Sequence, residues 1–228
     1  MSGSRQAIPD DRRTLTNQLV RHLRRQIMLG ERPPGQHLGE VALTEELGVS
    51  RSTVREALRY LRGEYLIETR AHHGSIVASL TPAKAVEACR LHAMLESECF
   101  RGLAIPILPE HRRHLLDLTD RMRQLSYPAN VNEFIELDHM FHKSIVDMSE
   151  HELVGSVWAN INSLIGIILT MSIRYIELDS DNVADRHVVI VDALSDPNGS
   201  KDRAIAIIDE HYQSLARMFS EKQEEKKG

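Results

Sequence analysis

The segment Leu47-Gly-Val-Ser-Arg-Ser-Thr-Val-Arg-Glu-Ala-Leu58 admits few folds other than a tight turn feeding a short basic helix. Gly48 supplies the permissive backbone that a sharp inter-helix turn needs. Ser50 is a good N-cap, because its side-chain oxygen can accept an otherwise orphaned backbone N–H. Val54, Ala57, Leu58 and Leu61 then recur at three- and four-residue spacing, the pattern of a buried stripe. Arg51, Arg55, Arg59 and Arg62 run along the other side, where they can reach phosphates and guanine edges. Arginines on one side of a helix usually mark nothing more than a solvated face. The preceding helix, Glu40 to Leu47 with Val41, Leu43 and Leu47 as its apolar positions, argues for more, since two short helices joined by Gly-Val-Ser read as a helix-turn-helix. Two β-prone runs follow, Tyr65 to Arg70 and Ile76 to Ala78, around the turn His72-His-Gly-Ser75. A hairpin in that position is a wing.

The formal charge of −5 looks wrong for a DNA binder until the chain is divided. Residues 1–78 carry 12 Lys and Arg against 9 Asp and Glu, a balance of +3; residues 79–228 carry 16 against 24, a balance of −8. The basic excess therefore sits with the helix-turn-helix, as binding by counterion release requires. No 18-residue apolar run and no charged-then-apolar leader is evident, so a cytoplasmic chain with no membrane partner is expected. The apolar run Asn162 to Met171 reads as a buried helix. Cys89 and Cys99 lie ten residues apart on one helix, roughly 15 Å of rise and beyond disulfide reach.

The expected fold is mainly α, an N-terminal winged helix-turn-helix followed by an all-α helical bundle. Residues 1–11 read as a polar, disordered arm and 12–78 as the winged domain, opening with a helix from Arg12 to Leu29. Residues 79–82 form a junction in which Thr81 can cap a helix and Pro82 can take its first position. Six helices are expected in 83–220, near 82–104, 109–125, 130–148, 151–178, 181–195 and 199–220, and 221–228 reads as a charged tail.

Polar residues interrupt the apolar faces of these helices. At about 100° per residue, Asp138 and His142 share a face with Phe134, Phe141 and Ile145. His187 falls among Val183, Ile190, Val191 and Leu194, and His211 among Ile207, Ile208, Leu215 and Met218. A buried charge needs compensation. Each histidine alone is more commonly a hydrogen-bonded core residue, but four such groups on converging stripes form a candidate metal site. Arg174 shares a face with Ile167, Thr170 and Leu178, either snorkelling outward or clamping a carboxylate. His139 and His151 fall on other faces and read as surface groups.

Leu23 to Val77 resembles the DNA-binding domain of the GntR family of bacterial transcription regulators. The resemblance rests on Ile27, Gly30, Pro34-Gly35, Leu38, Glu40, Leu43, Leu47 to Arg51, Val54 to Leu58, Leu61, Gly74 and Val77. It implies that Ser50, Arg51, Ser52, Thr53 and Arg55 meet DNA from the recognition helix, and His73 and Gly74 from the wing; Arg59 extends the basic face. Tyr65 stands where the family usually has glycine, and Val41 where some members carry a DNA-contacting arginine. Residues 83–220 resemble the helical ligand-binding domain of the FadR-type branch, abbreviated FCD, in its six-helix, VanR-like form. Many members hold a divalent metal with one aspartate and three histidines, a pattern matched here by Asp138-His-Met-Phe-His142, His187-Val-Val-Ile190 and His211. Arg186 replaces the usual acidic neighbour before His187. Such a donor set suits Zn, Ni, Mn or Fe. By the same resemblance Arg174 binds an effector carboxylate, with His92, where members commonly have a second arginine, and Glu96 reading other polar groups.

A ligand-responsive regulator is thus expected, a homodimer on a palindromic double-stranded operator, repressing until a small organic acid binds. One alternative is a regulator for which the metal itself is the signal. Another is a metal-dependent hydrolase, which lacks a spaced general base and leaves the basic winged segment unexplained.

Overall fold

The computed structural model describes residues 11–70, 74–126, 129–175 and 180–225, with side chains from 15 to 173 (save 71–73 and 127–128) and from 184 to 221. Residues 1–10, which include most of the expected arm, lie outside the described residues. The chain divides into two compact units, Met1–Ser79 and Leu80–Gly228.

The first unit opens with α1 (Asp11–Met28), whose Leu19, Val20, Leu23 and Ile27 are buried. Helices α2 (Glu40–Leu47) and α3 (Arg51–Gly63) follow. Between them Gly48 takes φ 65 and its N–H closes on the carbonyl of Thr44 at 3.1 Å, a left-handed C-cap that glycine adopts without a side-chain clash. Of the apolar positions assigned to α2, Leu43 is buried but Val41 is 49% exposed. Eight residues cannot turn every apolar side chain inward. Strands β1 (Ile67–Arg70) and β2 (Gly74–Val77) pair antiparallel, Ile67 opposite Val77 and Arg70 opposite Gly74. Tyr65, between α3 and β1, sits at φ 60. That conformation explains the glycine usual at this position, and a bulky residue held there is strained.

The second unit is a bundle of six described helices: α4 (Pro82–Gly102), α5 (Pro109–Arg123), α6 (Val131–Met148), α7 (Glu152–Tyr175), α8 (Ser180–Ser195) and α9 (Lys201–Glu225). Thr81 caps α4 by accepting from the N–H of Lys84 at 3.3 Å, with Pro82 in the first turn. Helix α9 continues five residues past Ser220, because Leu215, Ala216 and Phe219 keep its last turns packed. Helix α4 packs along α9; α7 contacts α4, α6 and α9; and α5 bridges α6 and α8. Phe100, Phe134, Phe141, Trp158, Tyr212 and Phe219 fill the core, each worth about 1.5–3 kcal/mol on burial. Contrary to the expectation of no such run, Glu152–Ile173 is long and apolar enough to cross a membrane by length and composition alone. Here it is a bundle helix with Trp158, Ile165, Ile168 and Ile173 buried against its neighbours. Both cysteines are free and buried on α4.

Candidate DNA-reading face and candidate metal centre

The amino end of α3 is tied by its own hydroxyls. The Ser50 Oγ accepts from the N–H of Thr53 at 3.2 Å and lies 2.8 Å from the hydroxyls of both Ser52 and Thr53. Thr53 is buried, as are Val54, Ala57, Leu58 and Leu61. The Thr53 hydroxyl thus sits within the cap, while Ser50, Arg51, Ser52, Arg55 and Arg59 are exposed. Arg55 donates through Nε and Nη2 to the two carboxylate oxygens of Glu40, at 3.1 and 2.9 Å. The Arg55 hydrogen bond holds the Glu40 carboxyl below its ordinary range. Arg59 pairs with Glu56 at 3.7 Å and lies over the ring of Tyr60. Gly74 is exposed at the start of β2, and His73 lies outside the described residues.

In the helical unit, Asp138 and His142 on α6, His187 on α8 and His211 on α9 each offer a ligand atom, all within 4.8 Å of one another. They line a cavity with Phe134, Ile165 and Leu169. The Nε2 of His187 is 3.1 Å from Oδ1 of Asp138, and Nε2 of His142 is 3.9 Å from the same oxygen. Burial opposes ionisation of Asp138, but the His187 hydrogen bond and the nearby imidazoles outweigh it and lower its pKa. Burial, reinforced by the charges of His187, His142 and Arg186, holds His211 well below the usual histidine range. It is thus neutral, with a lone pair free to coordinate, and its buried Nδ1 has no hydrogen-bond partner among the described residues. Three imidazoles and one carboxylate fit a divalent transition metal.

Glu96 on α4 differs from the expectation. Fully buried, it accepts from Trp158 Nε1 at 2.9 Å and Tyr212 Oη at 2.5 Å, and its other oxygen meets His142 Nδ1 at 2.9 Å. With both oxygens engaged, Glu96 orients His142, leaving Nε2 toward Asp138. This is the carboxylate–histidine pairing that fixes a metal ligand's ring and tautomer. Burial works against a proton on His142, but Glu96 and then Asp138 outweigh it and raise its pKa.

His92 is also displaced from the role expected of it. It is fully buried, with its ring 5.8 Å from that of Trp158 and 5.6 Å from that of Tyr212, and it is absent from the cavity wall. Burial pushes its pKa down to about 4. The side chain of Arg174 lies outside the described residues. His139, read as a surface group, is half-buried, stacked on Trp158 at 5.3 Å and 2.6 Å from Asn162 Nδ2. Sequence reasoning missed Trp158 and Tyr212 as partners of Glu96, and Ser172 and Arg186 on the cavity wall. Their signal was a polar or ring N–H group on an otherwise apolar helix face.

A capped basic helix with a wing, in one chain with a helical bundle whose largely apolar cavity holds an aspartate and three histidines, is the architecture of a DNA-binding transcription regulator. The family model for bacterial regulatory proteins, gntR family, matches residues 15–77, and that for the FCD domain matches 87–214. The chain belongs to the GntR family and carries an FCD domain. It is 29% identical over 206 residues to the gluconate operon transcriptional repressor of Bacillus subtilis (strain 168), covering 89% of this chain and 81% of that one. It is 24% identical to the HTH-type transcriptional repressor RspR of Escherichia coli (strain K12), covering 89% and 87%. A structural-genomics crystal structure of a GntR regulator from Rhodococcus sp. RHA1 superposes with a TM-score of 0.71 at 19% identity, covering 90% of this chain and 97% of that one. E. coli McbR/YncC superposes at 0.70 and 19%, covering 92% and 98%. These two likenesses concern the fold.

Proposed function

We propose that this regulator is a repressor whose FCD domain holds one divalent ion on Asp138, His142, His187 and His211 and leaves its operator when a small carboxylic acid reaches that ion. The convergence of four donor atoms within 4.8 Å inside an apolar cavity carries the reading. The bound ion would supply an open position for a ligand oxygen. Around it, Glu96 holds His142 in one tautomer, Asp138 provides the negative charge and His211 provides a neutral nitrogen. Repression is supported by relatives that bear that name, one of them controlling a gluconate operon. A homodimer on a palindromic operator follows from the short half-site that one recognition helix can read. An effector regulates only if it prefers one of two arrangements of the protein.

Purified protein is expected to carry one divalent ion per chain by elemental analysis, and His142→Ala and His187→Ala to lose it. Binding to the folded state alone raises stability by about 2.7 kcal/mol at a hundredfold excess over Kd, read as a melting shift with Zn, Ni or Mn. No metal and no shift would reduce the four residues to a hydrogen-bonded core cluster. Release of a gel-shifted operator by the metal ion alone, with no acid present, would favour the ion as the signal.

A further inference from the structure

The four arginines of α3 are not held alike. Arg51 makes no ion pair among the described residues, Arg59 meets Glu56 of its own helix, and Arg62 donates to the Ser75 hydroxyl at 3.3 Å. Arg55 is gripped from another helix. Its Nε and Nη2 donate to the two carboxylate oxygens of Glu40, in the first turn of α2, at 3.1 and 2.9 Å. That contact occupies one side of the guanidinium. The group carries N–H donors all round its plane, so the outer fork, one N–H on each of Nη1 and Nη2, stays open, on a side chain that is 71% exposed. Two parallel donors in such a fork match O6 and N7 of a guanine.

The carboxylate changes what this arginine can do in two ways. A free arginine samples many rotamers and must be ordered on binding, whereas one already braced loses less. The pairing also cancels charge, because the Arg55 hydrogen bond keeps Glu40 ionised by lowering its pKa. Attraction to phosphate by counterion release needs an uncompensated cation. Guanine recognition needs aimed donors. The braced arginine gives up the first and keeps the second.

We infer that Glu40 is a positioning residue for base recognition: it holds Arg55 from the side, so that the open fork reads a guanine in the major groove and the guanidinium stays off the phosphates. Glu40 thereby sets specificity at the cost of non-specific affinity. The inference involves neither the metal nor the effector.

The test begins with full-length wild type selecting its site from a randomised duplex pool. The base pair whose preference Arg55→Ala loses is the one Arg55 reads. Fluorescence anisotropy then compares the selected duplex with a copy carrying adenine for that guanine, and with a duplex of unrelated sequence. Wild type is expected to discriminate at least about tenfold against the adenine copy, and Glu40→Gln no more than about threefold. Glu40→Gln is also expected to bind the unrelated duplex more tightly, with a salt slope steeper by about one. In the Arg55→Ala background Glu40→Gln changes the discrimination no further, since the two residues act as one unit. Glu40→Asp, with the charge on a shorter arm, falls between and serves if the glutamine variant melts too low to assay. Four results would each overturn the inference: undiminished discrimination in both Glu40 variants, a base other than guanine at the Arg55 position, an equal loss in the Arg55→Ala background, or a loss confined to another base pair. A loss confined to a cytosine would make Glu40 itself the base reader.

Discussion

The polar groups of the recognition helix and those of the helical cavity are satisfied on opposite terms. On α3, Arg55 and Arg59 are exposed and lean on neighbouring carboxylates, Glu40 and Glu56. Such surface pairs are worth about 0–1 kcal/mol, so they leave the arginines open to a phosphate or a guanine edge at little cost. Inside the bundle the groups are out of water and cannot rearrange so freely. They divide into a saturated cluster around Glu96 and a set, including Ser172 Oγ and His211 Nδ1, without a hydrogen-bond partner among the described residues. A surface presents ligands with charges already loosely paired. An interior signals them by polar atoms left without partners.

The largest effect should come from breaking the saturated cluster. Glu96→Ala orphans donors on Trp158, Tyr212 and His142 and is expected to cost about 3–5 kcal/mol in urea unfolding; a loss below about 1 kcal/mol would remove the distinction between the two interior sets. Next comes His92, neutral in the fold at about 4 against an ordinary 6.5. Between those values the unfolded chain binds the proton and the folded chain does not. Its contribution is therefore complete above about pH 6.5 and falls as pH drops toward 4, by about 3 kcal/mol. His92→Phe should flatten that slope in pH-dependent unfolding of chelator-treated protein, and an unchanged slope would show that the ring is not neutral by burial.

On the exposed side, Arg51→Ala and Arg55→Ala should each weaken operator binding by about 1–3 kcal/mol in gel shifts and leave stability within about 0.5 kcal/mol. Arg59→Ala should weaken binding evenly across sequences. Smallest is Ser50→Ala, which removes the α3 cap and about 1 kcal/mol of stability, read as a lower Tm. A stability loss from Arg55→Ala larger than that from Ser50→Ala would mean the surface pair is not loose.

The winged unit was legible in sequence because its signals are local. Turn, cap and stripe lie within a dozen residues, and Gly48 and Ser50 occupy the geometry their chemistry prefers. At Thr53 a capping cluster and a DNA contact ask for the same hydroxyl, and the sequence alone does not separate the two. The four metal candidates were legible from helical phase alone, since each sits on a stripe that must turn inward. Phase gives a face but not its neighbour. Nothing near Glu96 in sequence says that Trp158 on α7 and Tyr212 on α9 close over it. Arg186 was noticed only as a substituted neighbour of His187, and its place on the cavity wall depends on how α8 lies against α9.

The two thiols have a practical consequence. Burial pushes Cys89 up to about 12 and raises Cys99 as well, and these are the only cysteines in the sequence. Thiolate is the form oxidants and alkylating reagents attack readily, so burial of both thiols slows their reaction in the folded regulator. A cysteine engineered at a surface position would then be chemically unique without deleting either native one. Fluorophores or spin labels placed in pairs that way would give interdomain distances directly, with and without DNA.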